Sequence, residues 1–161
     1  MLTSKTPITD FYNGVFDYIE DYLPARITEI NQVKNDSVVL QQMKKYIKGY
    51  KGGLNESNYP VAMVFSGYFE FEEAGNRADE ADNIITVLII LTGNNEEIIT
   101  EKLMRYGDAI RNTVLNDETF GGLAAKAYTG KIEPVHPSPV TNNKGLISVE
   151  IEIEAEILNT T

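Results

Sequence analysis

The 161-residue sequence contains no cysteine and no tryptophan, and only one histidine. Without cysteine there are no disulfides, no thiolate metal sites and no cysteine nucleophile. Long apolar runs are also missing. The longest, Val87-Leu88-Ile89-Ile90-Leu91, falls far short of the roughly 20 residues that a bilayer-crossing helix takes. Met1 to Pro7 shows no charged stretch followed by an apolar one, so no secretion signal is expected and synthesis in the cytoplasm is. Basic charge is scarce: 14 Lys and Arg face 24 Asp and Glu, a net charge of −10. Such a surface repels nucleic-acid phosphates and anionic membranes, which argues against general DNA binding and against a membrane partner.

Hydrophobic residues make up 42% and charged residues 24% of the chain, which suits one ordered globular core. Ile8, Phe11, Tyr12, Val15, Phe16, Ile19, Tyr22 and Leu23 recur at spacings of three and four, predicting an amphipathic helix with Thr6 as N-cap and Pro7 at its first position. Pro24 is expected to break or kink it, with Ile27, Ile30 and Val33 on a second short helix or a bent continuation. Asp36 or Ser37 caps a further predicted helix bearing Val39, Met43, Tyr46, Ile47 and Tyr50, ended by Gly49, Gly52 and Gly53. Val61 to Phe65 reads as a strand that Tyr68 to Glu72 extends past Gly67, a predicted bulge. Glu72 to Asp82 reads as an acidic connection, and Ile84 to Thr92 as a central strand covered on both faces. Asn95 starts a helix with Ile99, Leu103, Tyr106, Ile110 and Val114 on one stripe, ending near Asn116. A glycine-containing turn over Asp117 to Leu123 and a short strand over Tyr128 to Glu133 follow. Pro134, Pro137, Pro139 and Asn142 to Gly145 form a loop or hairpin tip. The last strand alternates Ile147, Val149, Ile151, Ile153, Ala155 and Ile157 with Ser148, Glu150, Glu152, Glu154 and Glu156. The expected architecture is one α+β domain over 1–161, with helices packed on one face of a largely antiparallel sheet. Its N-terminal helices cover about 7–50, and the sheet and long helix about 59–158.

Reactive chemistry is thinly represented. His136 lies between prolines in Pro134-Val135-His136-Pro137, with no nucleophile or carboxylate fixed beside it in sequence. Asp79, Glu80 and Asp82 are oxygen donors but miss calcium-loop spacing and have Arg77 among them, so a solvated loop is the simpler reading. Gly49-Tyr50-Lys51-Gly52-Gly53 lacks the Gly-Lys-Ser/Thr ending of a phosphate loop. No catalytic residue, metal site or cofactor is assigned. Two charge patterns remain. Lys44, Lys45, Lys48 and Lys51, interleaved with Tyr46 and Tyr50, are either lysines opposing a helix dipole or a docking patch for an acidic surface, another copy included. Glu150, Glu152, Glu154 and Glu156 form either an ordinary solvent face or an acidic wall beside a passage for a polyanion.

The helix Glu97 to Leu115, with Arg105-Tyr106-Gly107-Asp108-Ala109-Ile110-Arg111 inside it, resembles the "RYGDAIRDAL" helix of small tail-completion proteins from tailed bacteriophages and prophages. Tyr59-Pro60-Val61-Ala62-Met63-Val64 is similar to that family's "YPAVLV" strand. Phe120-Gly121-Gly122-Leu123 and the terminal alternating strand match as well, so the likeness runs from about Tyr59 to Ile157. Tyr106 and Ile110 read as core positions, Gly107 as a close helix–sheet approach, and Asp108 and Arg111 as surface. The resemblance implies a non-enzymatic virion protein of the tail-terminator or head-to-tail joining kind. It implies a ring of copies, for example a hexamer, capping the tail tube, with the tail tube protein and a head-completion protein as partners. DNA would be only a passing polymer, the glutamates lining its path and the lysines meeting a neighbour or the tube. Location would change from the host cytoplasm during assembly to the tail or neck of the virion. The alternatives are another neck or minor capsid component or, in a different class, a small metal-dependent or acid/base hydrolase built on Asp79 to Asp82.

Overall fold

The computed structural model describes residues 2–75, 78–136 and 144–159, with side chains at 5–70, 82–136 and 144–154. The elements are β1 (Leu2–Ser4), α1 (Pro7–Lys34), β2 (Lys45–Lys48), β3 (Val61–Gly75), β4 (Ala78–Thr92), α2 (Glu96–Asn116), β5 (Lys126–Val135) and β6 (Lys144–Asn159). A single 3-10 turn, Glu56–Asn58, precedes β3. The six strands form one sheet in the order β1-β6-β4-β3-β2, with β5 also paired to β6. Because β4 pairs along nearly all of β6, β1 and β5 share the other side of β6, one after the other. The long pairings β3–β4, β4–β6 and β5–β6 are antiparallel, whereas short β1 and β2 pair parallel. The largely antiparallel α+β architecture expected from the sequence is therefore the one observed.

Both helices lie on the same sheet face. Alternate residues of the central strands (Ala62 and Val64, then Ile85, Val87, Ile89 and Leu91, then Ile147, Val149, Ile151 and Ile153) are buried in one cluster with Phe11, Val15, Ile19, Leu23 and Ile27 of α1 and Leu103, Tyr106, Ile110 and Val114 of α2. The period of two in β6 and of about 3.6 in both helices sets which side chains enter this core. In α2, the Asn95 side chain accepts the Ile98 N–H at 3.1 Å, and Glu96 and Glu97 sit where the helix dipole favours carboxylates. After α2 the Asp117 carboxylate accepts from the Thr119 hydroxyl at 2.6 Å and from the N–H groups of Thr119 and Gly121, which together hold that carboxyl below its ordinary pKa. This turn buries Phe120 against the Tyr18 ring, with centroids 4.5 Å apart.

Several expectations need correction. Pro24 does not end α1, which runs on to Lys34. The Pro24 carbonyl accepts from Thr28 Oγ1 and from Gln42 Nε2, and Asn35 closes the helix in the left-handed conformation. Ile8 and Tyr22, expected on the buried stripe, are more than two-fifths exposed. The helix predicted over Asp36 to Tyr50 does not exist, so the helices expected over 7–50 end at Lys34. Its polar groups are used by tertiary partners instead. Asp36 binds Arg105, the Leu40 N–H and C=O both bond the Asn31 side-chain amide, and the Gln41 carbonyl accepts from the Tyr106 hydroxyl. Tyr46 and Ile47 then face opposite sides of strand β2, Tyr46 toward the helix core and Ile47 away from it. The acidic connection expected over Glu72 to Asp82 is strand at every described position, since β3 runs to Gly75 and β4 starts at Ala78. The pairing slips between Ser66 and Tyr68, where the bulge at Gly67 was expected. The prolines and asparagines at 137–143 lie outside the described residues.

Candidate functional site

The face of the sheet turned away from the helices is graded from apolar to acidic. Strand register alone produces this order. At one end Val61, Ile90, Leu146 and Val135 lie opposite one another across β3, β4, β6 and β5, followed by Met63, Leu88, Ser148 and Glu133. Tyr59, Leu54 and Ile47 cover that end, leaving Val61 and Met63 inaccessible. Next come Phe65, Thr86 and Glu150, then Tyr68, Ile84, Glu152 and Tyr128. The last row with described side chains is Glu70, Asp82, Glu154 and Lys126. Three carboxylates from three strands are therefore directly opposed, with one lysine at the edge. Directly opposed like charges on a sheet are unfavourable by about 0.2–1 kcal/mol per pair.

Tyr68, Glu70, Asp82, Ile84, Tyr128, Glu152 and Glu154 outline a shallow hollow of about 160 Å³ on this face. Tyr68 is half exposed and Tyr128 two-fifths exposed. Hydrogen bonding to the Glu152 carboxylate, with Glu154 and Asp82 nearby, pushes the Tyr128 hydroxyl up to about 12. The anticipated glutamate ladder thus exists at Glu150, Glu152 and Glu154. Glu156 continues it in the β6 backbone, opposite Glu80, and its side chain lies outside those described. What the sequence reading missed is the contribution of Glu70 and Asp82, which are distant in sequence and brought alongside by pairing.

The four lysines do not share a helix. Lys45 and Lys48 lie on β2, the edge strand beyond β3, and Lys44 and Lys51 flank it. All four are exposed, and among the described residues none makes an ion pair. Lys48 turns toward α1, donating to Asn13 Oδ1 at 2.9 Å and lying 5.2 Å above the Phe16 ring. Two further cations gather at this end of the sheet. Lys102 borders the same hollow as Lys44, together with Glu56 and Tyr59, and Lys144 stands 5.3 Å over the Tyr59 ring.

The motif helix carries one group whose role the sequence did not reveal. The Arg105 guanidinium is almost inaccessible. It donates to Asp36 Oδ1 at 2.9 Å and Oδ2 at 2.6 Å, to the Val38 carbonyl at 2.6 Å and to Glu101 Oε1 at 3.0 Å. The bidentate pair holds the Asp36 carboxyl down at about 2 and raises Arg105 still further above its ordinary value. Tyr106 and Ile110 are buried and Asp108 and Arg111 are exposed, as expected. A Cβ on Gly107 would stand 3.0 Å from Ile147 Cδ1, so the helix does pass close to β6 there.

His136 is exposed, with Nδ1 3.3 Å from Thr100 Oγ1. Asp82 belongs to a strand rather than a loop, and the side chains of Asp79 and Glu80 lie outside those described. Among the described residues no group of three or more His, Cys, Asp or Glu side chains is arranged to hold a metal ion, and no helix is long and apolar enough to cross a membrane.

These features define a class of protein, an α+β domain with two helices on one face of a sheet and a charge-graded surface on the other. No family model matches the chain, and no curated protein does. Among solved structures it is similar to a chain of the virion of a native gene transfer agent particle, at 12% identity and a TM-score of 0.40. That match covers 86% of this chain and 97% of the other.

Proposed function

We propose that this chain is a structural protein of a tailed phage or prophage particle, of the tail-terminator or head-to-tail joining kind, and that it acts by assembling rather than by catalysis. One observation carries the reading. The segments that resemble the tail-completion family are scattered through the sequence, yet they meet in one helix-on-sheet unit. The strand from Val61 pairs with β4, β4 leads into α2, and Tyr106, Gly107 and Ile110 of α2 pack on the alternating strand β6. The graded outer face and the exposed lysine edge supply surfaces of opposite charge, which suit docking better than turnover. The function is then to form a ring of copies that caps the tail tube and meets the head-completion protein.

Native mass spectrometry over a concentration series, with and without purified tail tubes, tests this. A closed oligomer, free or on the tube, is the expected result. A chain that remains monomeric at every concentration and does not bind tubes would sink the reading.

A further inference from the structure

The proposed ring needs an interface, and the two ends of the sheet differ in charge in a way that supplies one. The end formed by β2, the start of β3 and the start of β6 carries Lys44, Lys45, Lys51, Lys102 and Lys144, with Glu56 among them. The other end carries Glu70, Asp82, Glu152 and Glu154 around the hollow between Tyr68 and Tyr128. Seven residue steps along β3 lead from Met63 to Glu70, roughly 23 Å at about 3.3 Å per residue. A single copy cannot bring one end onto the other.

We propose that the acidic end of the outer face receives the lysine-bearing β2 edge of a second copy, head to tail. The proposal rests on the ring reading and names its contact surfaces. Charge complementarity selects the occupant. The Glu70–Asp82–Glu154 row has only Lys126 to offset it, and the four lysines at β2 have no ion-pair partner among the described residues. Each patch is what the other lacks. Tyr68, Tyr128 and Ile84 give the acidic end apolar surface on which lysine stems can lie while their ammonium groups reach the carboxylates. Tyr50, more than two-thirds exposed beside Lys51, gives the basic end an aromatic of its own. Lysines on an edge strand also discourage strand-to-strand pairing, so they favour this face-on contact over a continuous sheet. Joining two different patches is a heterologous contact, the kind that closes into a ring when the rotation between copies permits. The acidic ladder is then covered by a neighbour, not presented to passing DNA.

The test uses two full-length variants. One carries Glu70→Lys, Glu152→Lys and Glu154→Lys; the other carries Lys44→Glu, Lys45→Glu and Lys51→Glu. All six positions are at least partly exposed, and circular dichroism checks that both variants fold. Under conditions where the wild-type chain assembles, each variant alone should remain monomeric in native mass spectrometry, because like charges would meet. Their equimolar mixture should assemble into species with equal numbers of both masses. Two results would overturn the proposal and leave the ring reading standing: variants that each assemble as the wild type does, or a folded mixture that fails to assemble. Normal assembly of the glutamate variant combined with impaired DNA passage would move the acidic face to the passage wall. A wild-type chain that never assembles, alone or on tubes, overturns both.

Discussion

The outer sheet face has two ends, built on the same strands and over the same core, yet they are treated in opposite ways. At the Val61 end the chain folds its own loop over the sheet and buries Met63, Val61 and Ile90. At the Glu70 end alternate positions are carboxylates and half-exposed tyrosines. The helix-side residues beneath both ends are buried and mostly apolar, from Ala62 at one to Ile153 at the other, with the buried amide of Asn83 as a polar exception beside Ile153. Stability is therefore secured from the helix side alone in the acidic rows, and their outer face is left free to carry charge. The apolar rows use both faces for folding.

The largest expected effect comes from cutting each end in turn. Met63→Ala in the covered rows should cost about 2–5 kcal/mol in urea denaturation, whereas Tyr68→Ala in the acidic rows should cost no more than about 1. Equal losses would mean that the two ends are not treated differently. The next effect concerns charge that is paired. Arg105→Ala should lower the urea midpoint clearly, since Asp36 and the Val38 carbonyl lose their donor. It should also alter the acid response. Asp36 has a folded pKa near 2, below its unfolded value near 4, so its contribution is present above pH 4 and is lost as pH falls toward 2. That part of the wild-type acid sensitivity should be missing from the Arg105 variant. Gly107→Ala should be milder, about 1–3 kcal/mol for forcing Ile147 aside, offset by up to about 1 from better helix propensity. The smallest effect sharpens the comparison from the acidic side. Asp82→Asn should raise stability by about 0.2–1 kcal/mol at low salt, with the gain shrinking as salt screens the row.

How much was legible in the sequence differed by element. Strand β6 declared itself, because a strict period of two over Ile147 to Ile153 has no competing reading. Helix α2 did too, with Asn95, Glu96 and Glu97 at its start. The stretch from Asp36 to Tyr50 misled because Val39, Met43 and Tyr46 happen to be spaced like a helix stripe. The outcome there was decided by Asn31 and Arg105, which only the folded chain brings near. The far parts of β3 and β4 read as loop because Glu and Asp are poor strand formers in isolation. Glu70 and Asp82 could not be added to the glutamate ladder for a similar reason: register between distant segments is not written in either one. Half of the acidic face was visible in β6, and the other half needed the hairpin.

The position of β6 in the sheet has a consequence in time. A ribosome completes β4 at Thr92 but does not begin β6 until Lys144, so the central strand waits for its second neighbour while α2 and β5 are made. During that interval Ile85, Val87 and Ile89 lie along an open edge able to pair with any strand it meets. Asp79, Glu80 and Asp82 belong to the same strand, so the waiting edge is made with negative charge in its own sequence, which discourages pairing with other acidic strands.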